Sequence, residues 1–348
     1  MQDERDTAEG SHVRCGACGV AHPPGAPCAR REPARTLAFG APPPLPPEEP
    51  APGAGDDPLI GSRVGSFQIV RILGRGGMGT VYLAEHPVIG SRVAVKFLHP
   101  NMAENPAVVA RFFDEARAVN LIGHENIVGI YDLNQLPPNR YYFVMEYLEG
   151  ETLTERLRGG RLPLPIALDV LLQLCDALQC AHDRGVVHRD LKPENVFLVS
   201  RRGKSHFVKL VDFGIAKLRD GAAAPGRTAA GLIVGTPEYM APEQCDDREV
   251  DARTDVYSLG VIAFELATGR LPFEGRTVTQ LLLAHLQREA PAPSSLAPDV
   301  DPGLEQAILR ALRKDPAARF PDMAAFADAL RAVQARATAK AGAGRRTS

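Results

Sequence analysis

The sequence predicts an α+β fold in two lobes, a small sheet lobe followed by a larger helical one. Three observations carry this. Short segments rich in β-branched and aromatic residues cluster early: FQIVRILG, TVYLAEH, RVAVKFL, and then IVGIYDL and YYFVMEYL. Beyond Gly150 the apolar spacing becomes helical. Strands first and helices second imply a sheet joined to a helical mass rather than an alternating parallel sheet.

Each element has its own signal. Val109, Phe112, Phe113, Ala116 and Val119 recur at spacings of three and four, which predicts one helix among the strands. LPIALDVLLQLCDALQCAH carries Pro165 near its start and an apolar face through Leu171, Leu174, Leu178 and Ala181. DVYSLGVIAFELATG is apolar nearly all round, which predicts a buried central helix. Twelve of the 30 prolines fall between Pro23 and Pro58, so that stretch reads as a semi-rigid linker, with a proline-motif docking site as the alternative. The expected organisation is a small module over 1–30, a Pro-rich linker over 31–60, one folded domain over 61–334, and a disordered Ala/Gly/Arg-rich tail over 335–348.

Composition narrows the function. Forty basic residues nearly cancel 42 acidic ones, so nothing drives non-specific binding to nucleic acid or an anionic membrane. With 45% apolar and 24% charged residues the chain has the mixture of a globular protein. No uncharged apolar run reaches the ~18–20 residues of a membrane span, and MQDERDTAEG lacks the features of a secretory signal, so a cytoplasmic protein is expected. Cys175, Cys180 and Cys245 are scattered and read as small packing residues. Cys15, Cys18 and Cys28 are not. With His22 or His12 as fourth ligand they form a candidate zinc knuckle; a metal-free remnant and unrelated cysteines are the alternatives.

Four motifs carry chemistry. GRGGMGTV spaces Gly74, Gly76 and Gly79 as G-x-G-x-x-G, where missing side chains let backbone N–H groups approach phosphate oxygens. In a dinucleotide-binding fold a helix would follow, whereas TVYLAEH continues as a strand, which favours a hairpin over a nucleotide. VAVK places Lys96 on a strand, and Glu115 on the amphipathic helix is the carboxylate suited to orient it. VVHRDLKPENVFLV then supplies Asp190 as a base for a hydroxyl, Lys192 as a countercharge and Asn195 as an oxygen ligand for Mg²⁺. LVDFGIA adds the carboxylate of Asp212.

On these residues the chain resembles a protein kinase, and GRGGMGTVY with GTPEYMAPEQ resembles the bacterial serine/threonine members in particular. The resemblance covers about residues 65–333 and implies the bilobal kinase fold, with an antiparallel sheet and one main helix in the N-lobe. It implies ATP and Mg²⁺ as cofactors, with Asp212 as a second Mg²⁺ ligand, and protein substrates; self-association through the N-lobe is left open by the sequence. Leu73 and Gly77 join the glycine-rich loop; Met145 stands beside the adenine; Glu146 and Leu148 offer backbone groups to the base; Val81, Ala94 and Phe197 sandwich it. Val119, Ile130, His188 and Phe213 would stack between the lobes. Thr236 would contact Asp190, Glu243 would pair with Arg319, and Asp255 would hold the backbone around Asp190. Arg189 beside Asp190 implies a phosphorylated activation segment, with Thr228 as its site. Glu151 and Glu194 are rim carboxylates that could favour basic substrates or simply be solvated. An ATP-binding pseudokinase and a small-molecule kinase are the rival readings. The first expects losses at Lys96, Asp190, Asn195 or Asp212, and the second does not expect GTPEYMAPEQ.

Overall fold

A computed structural model describes residues 13–14, 21–22, 57–201, 203–213, 236–246 and 248–344. The chain divides into two units, Met1–Pro52 and Gly53–Ser348. In the first, β1 (Val13–Arg14) pairs antiparallel with β2 (Ala21–His22).

The second unit opens on a sheet of six antiparallel strands. In chain order these are β3 (Arg63–Val64), β4 (Phe67–Arg75), β5 (Gly79–Glu85), β6 (Arg92–Leu98), β7 (Ile130–Leu136) and β8 (Arg140–Glu146), arranged β3-β4-β5-β6-β8-β7. β3 is too short to leave a period-2 pattern, and sequence reasoning missed it. The helix α1 (Pro106–Ile122) starts where Asn105 accepts a hydrogen bond from the Ala107 N–H and stops at Gly123, whose φ of 59° is a left-handed cap. It docks on the sheet through Phe112, whose ring centroid lies 4.9 Å from that of Phe143 on β8.

After β9 (Gly150–Thr152) and the short α2 (Leu153–Leu157), helix α3 (Leu164–His182) enters the large lobe. By length and composition α3 could cross a membrane (mean hydropathy 1.5), but half of that window is buried inside the fold. Leu168, Val170, Leu171, Leu174 and Leu178 are all buried in the main core, so α3 is a core helix here. Strands β10 (Val196–Arg201) and β11 (Lys204–Leu210) join β9 in a second, three-stranded sheet. Then come α4 (Pro242–Cys245) and α5 (Ala252–Thr268). As expected from its all-round apolarity, α5 is buried along nearly its whole length. Its Gly260 permits a close crossing of α8 (Pro302–Ala311), since a Cβ there would lie 2.7 Å from the Ala311 Cβ. Between them lie α6 (Val278–Gln287) and α7 (Pro293–Leu296). The last helix, α9 (Met323–Gly344), runs past residue 334, where the sequence reading placed the start of an irregular tail. Its repeated alanines carry no side-chain entropy cost in a helix, which accounts for the extension.

Candidate active site

The sheet register assembles one wall of the site. Val81 lies opposite Lys96 across β5 and β6, and Ala94 lies opposite Met145 across β6 and β8. Lys96 and Ala94 are two residues apart on one strand, so all four share a face. Phe197, on β10 of the large lobe, is half-buried, as is Leu148 beyond the end of β8. The Glu146 N–H donates to the Gly129 carbonyl at 2.8 Å, so the backbone group that Glu146 can offer a base is its carbonyl.

The glycines of the β4–β5 hairpin divide by cause. Leu73, Gly74, Gly76 and Gly77 are exposed. A Cβ on Gly74 or Gly77 would meet nothing within 4 Å, and one on Gly76 only the Gly79 carbonyl at 3.8 Å. The protein itself does not need glycine there, and the open cradle fits a ligand that approaches the backbone. Gly79 differs: its Cβ would lie 2.0 Å from the Phe97 carbonyl, so its glycine serves the β5–β6 pairing.

Lys96 is buried and holds two carboxylates. Its Nζ is 2.6 Å from Asp212 Oδ1 and 3.6 Å from Glu115 Oε1, so Asp212 is the closer partner and Glu115 the longer one. Burial alone would lower the lysine, but Asp212 and Glu115 together raise it. Burial pushes Glu115 up to about 7, against the pull of Lys96. Burial likewise opposes ionisation of Asp212, and the Lys96 ammonium overcomes it, which holds this carboxyl below its ordinary range. The pairs keep a cation and its carboxylates side by side, partly shielded from water.

The opposite wall comes from the large lobe. Lys192 Nζ lies 3.4 Å from Asp190 Oδ2 and donates to Thr236 Oγ1 at 2.8 Å, so the lysine bridges the two. Asn195 Nδ2 donates to the Asp190 carbonyl at 2.9 Å, so the amide oxygen is the group Asn195 can offer a ligand. Two residues here have left-handed backbone, Arg189 at φ 64° and Asp212 at φ 51°. Such strain persists only where surroundings impose it. For Arg189 the cause is the fully buried Asp255, whose carboxylate accepts from the His188 N–H at 2.8 Å, the Arg189 N–H at 2.9 Å and His182 Nε2 at 2.7 Å. The His188 and Phe213 ring centroids lie 4.6 Å apart with the planes tilted at 40°, and Val119 and Ile130 belong to the packed region of Phe213.

The buried pair is in place as well. Arg319 grips Glu243 at 2.7 and 2.8 Å, and Thr254 adds a hydrogen bond at 2.8 Å. Sequence reasoning missed Lys209. Buried three residues before Asp212, it donates to Glu146 Oε2 at 2.6 Å and to the Ile127 carbonyl at 3.3 Å, which ties β11 to the interlobe segment. The signal was a lysine inside the apolar run FVKLVDF, which needs a buried partner. Cys15, Cys18, Cys28 and Thr228 lie outside the described residues; of His22 only the backbone strand is described.

The model of the protein kinase domain family matches residues 67–330. The chain belongs to the protein kinase family. Serine/threonine-protein kinase Pkn1 of Myxococcus xanthus is 54% identical over 322 residues, which is 92% of this chain and 45% of Pkn1. Serine/threonine-protein kinase PrkC of Bacillus subtilis is 39% identical over 264 residues, covering 75% of this chain and 40% of PrkC. The kinase thus spans about half or less of the length of these curated relatives. Among solved structures, the kinase domain of Mycobacterium tuberculosis PknI superposes with a TM-score of 0.59 at 30% identity, over 78% of this chain and 97% of that one. The bilobal α+β fold and the bacterial serine/threonine type are those expected from the sequence.

Proposed function

We propose that this kinase transfers the γ-phosphoryl group of ATP to serine and threonine hydroxyls of proteins, itself included, in intracellular signalling. The observation that carries the reading is the convergence of Lys96, Asp190, Lys192, Asn195 and Asp212 on one cleft. Mg²⁺ and ATP, when bound, supply the transferred group and neutralise charge between its phosphates. Asn195 and Asp212 are the oxygen donors for the metal, and the glycine cradle with Lys96, oriented by Glu115, holds the phosphates. Asp190 accepts the proton of the attacking hydroxyl, and the Lys192 ammonium offsets charge gathering on the transferred phosphoryl. Such chemistry needs positioning and countercharge more than covalent participation. The test is transfer of labelled phosphate from ATP to a generic basic protein. Asp190→Asn should lose several orders of magnitude in rate while still binding ATP, because the group acts in the transition state. Bound ATP with no transfer by the unmodified chain would establish the pseudokinase alternative.

Three finer readings accompany this one. Arg189 beside the base supports a phosphate on Thr228, which would order the segment through charge-assisted hydrogen bonds. Peptide mapping after incubation with Mg²⁺ and ATP should find it, and full activity of Thr228→Ala with no phosphate on the segment would remove it. The β1–β2 pair brackets Cys15 and Cys18 in sequence, as a knuckle hairpin would, which supports a zinc site completed by Cys28 and His22. Less than about half an equivalent of zinc on the reduced protein would remove the site. Exposed Val88 and Ile89 support self-association through the N-lobe, which sedimentation of Val88→Asp would test. A cytoplasmic setting fits the need for ATP and the free thiols of Cys175, Cys180 and Cys245.

A further inference from the structure

Asp57 stands where the proline-rich stretch gives way to the sheet, and it ties that junction to the glycine-rich hairpin. Its Oδ2 accepts a hydrogen bond from the Tyr82 hydroxyl at 2.9 Å and one from Arg75 Nη2 at 3.3 Å. Its Oδ1 accepts from the Leu59 N–H at 3.1 Å. Both strands of the hairpin are engaged, since Arg75 ends β4 and Tyr82 lies on β5 opposite Ile72. The turn beneath is firmly seated: Leu59 is buried in one cluster with Val64, Ile69 and Tyr82, and the Gly61 N–H donates to the Ile69 carbonyl at 2.8 Å.

The two bonds to Oδ2 are unequal. The Asp57 side chain is only 10% exposed and the Tyr82 ring is buried, so their contact is a sheltered, charge-assisted bond, roughly twice as strong as a neutral one. Arg75 is 61% exposed and its ion pair adds little on its own. Burial and the Asp57 carboxylate push the Tyr82 phenol up to about 12, so it remains a donor. Among the described residues, His99 is a second anchor near the tip: its Nε2 lies 2.8 Å from the Gly76 carbonyl and its N–H donates to the Met78 carbonyl at 3.0 Å. Without Asp57 the strand ladders and His99 would still hold the hairpin, but its Arg75 end and the Tyr82 hydroxyl would lose their tie to the turn beneath.

We propose that Asp57 is a positioning residue for the nucleotide: through Tyr82 and Arg75 it holds the glycine-rich hairpin over the phosphate site. The inference rests on the phosphotransfer reading for its kinetic readout. Steady-state kinetics on the full chain would compare Asp57→Ala, Tyr82→Phe and the double variant. Each single change should raise KM for ATP about five- to tenfold, the size of one net hydrogen bond. Turnover at saturating ATP should hold, and the double variant should be no worse than Asp57→Ala. Amide exchange over residues 74–79 without nucleotide should quicken in all three. Unchanged KM and exchange, or additive effects of the two changes, would overturn the proposal. Tyr82→Phe keeps the buried ring, so it decides the matter even if Asp57→Ala folds poorly. Absence of transfer by the unmodified chain would sink the phosphotransfer reading, and the exchange measurement would still decide the clamp.

Discussion

Arg319 shows how one side chain can tie together segments of the large lobe that are far apart in the chain. Its Nε donates to the Arg313 carbonyl at 2.7 Å; Nη1 donates to Glu243 and the Arg253 carbonyl; Nη2 donates to Glu243 and the Lys314 carbonyl. Those five bonds match the five N–H groups of a guanidinium. The side chain is fully buried, so no donor could turn to water instead. Glu243 is held below its ordinary range: burial works against its ionisation, and the bonds from Arg319 win. Arg319→Leu leaves that carboxylate buried and unpaired and should cost about 3–5 kcal/mol, measured by denaturant unfolding. Arg319→Lys should recover only part of it, because an ammonium has three donors and no planar fork. A loss below about 1 kcal/mol for Arg319→Leu would mean that the pair is not structural.

At the scale of the element, the glycine-rich hairpin combines two demands that one motif conceals. The spacing G-x-G-x-x-G suggests one purpose for its glycines, yet Gly79 is needed by the adjacent strand and Gly77 is not needed by the protein at all. Gly77→Ala should therefore leave the melting temperature within a degree or two and raise KM for ATP. Gly79→Ala should lower the melting temperature by several degrees, as a loss on the order of 1–3 kcal/mol from overpacking would. Equal effects of both on melting would contradict this division. The segment between the lobes follows the same logic. Lys209 secures Glu146 from below, while Arg92 pairs with Glu149 and its guanidinium carbon lies 5.3 Å from the centre of the Tyr147 ring. None of these pairings leaves a periodic trace in sequence, because the partners lie far apart in the chain.

For the whole molecule, acid sensitivity should begin with histidines rather than carboxylates. Burial, reinforced by the nearby Lys314, pushes His285 down to about 3, and burial also lowers His188. Unfolded histidine takes up a proton near its ordinary value of about 6.5, and the folded one refuses it. For His285 the stabilisation is therefore complete above about pH 6.5 and drains as pH falls toward 3, by about 1.4 kcal/mol per unit, and His188 acts in the same direction. Asp255 and Glu243, both lowered, begin to contribute losses only below about pH 4.5. Glu115, raised to about 7, pulls the other way between roughly pH 4.5 and 7, because there the folded state holds the extra proton. Comparing His285→Gln with the unmodified kinase cancels that opposing term. The unmodified protein should lose stability more steeply between pH 6.5 and 5; identical slopes would show that His285 does not titrate in this way.

Much of this kinase was determined by sequence alone. The strands-first order set the fold class, the 3–4 spacing from Val109 to Val119 set α1, and the residue types of HRDLKPEN and VDFG set the candidate site, because the proposed phosphoryl transfer needs a base, a countercharge and oxygen ligands. What only the tertiary structure decided are the relations between distant segments. That Lys96 sits closer to Asp212 than to Glu115, that Lys209 locks Glu146, and that Asp57 grips Tyr82 each depend on differences of an ångström or less between side chains brought together by packing. Hydrophobic periodicity specifies which face of an element is buried, and it is silent about what that face meets. Charged and hydrogen-bonding groups are sensitive to that meeting, since burial makes an unpaired one costly and a paired one strong. The sequence therefore determined which groups the site contains, and the fold decided which of them hold one another.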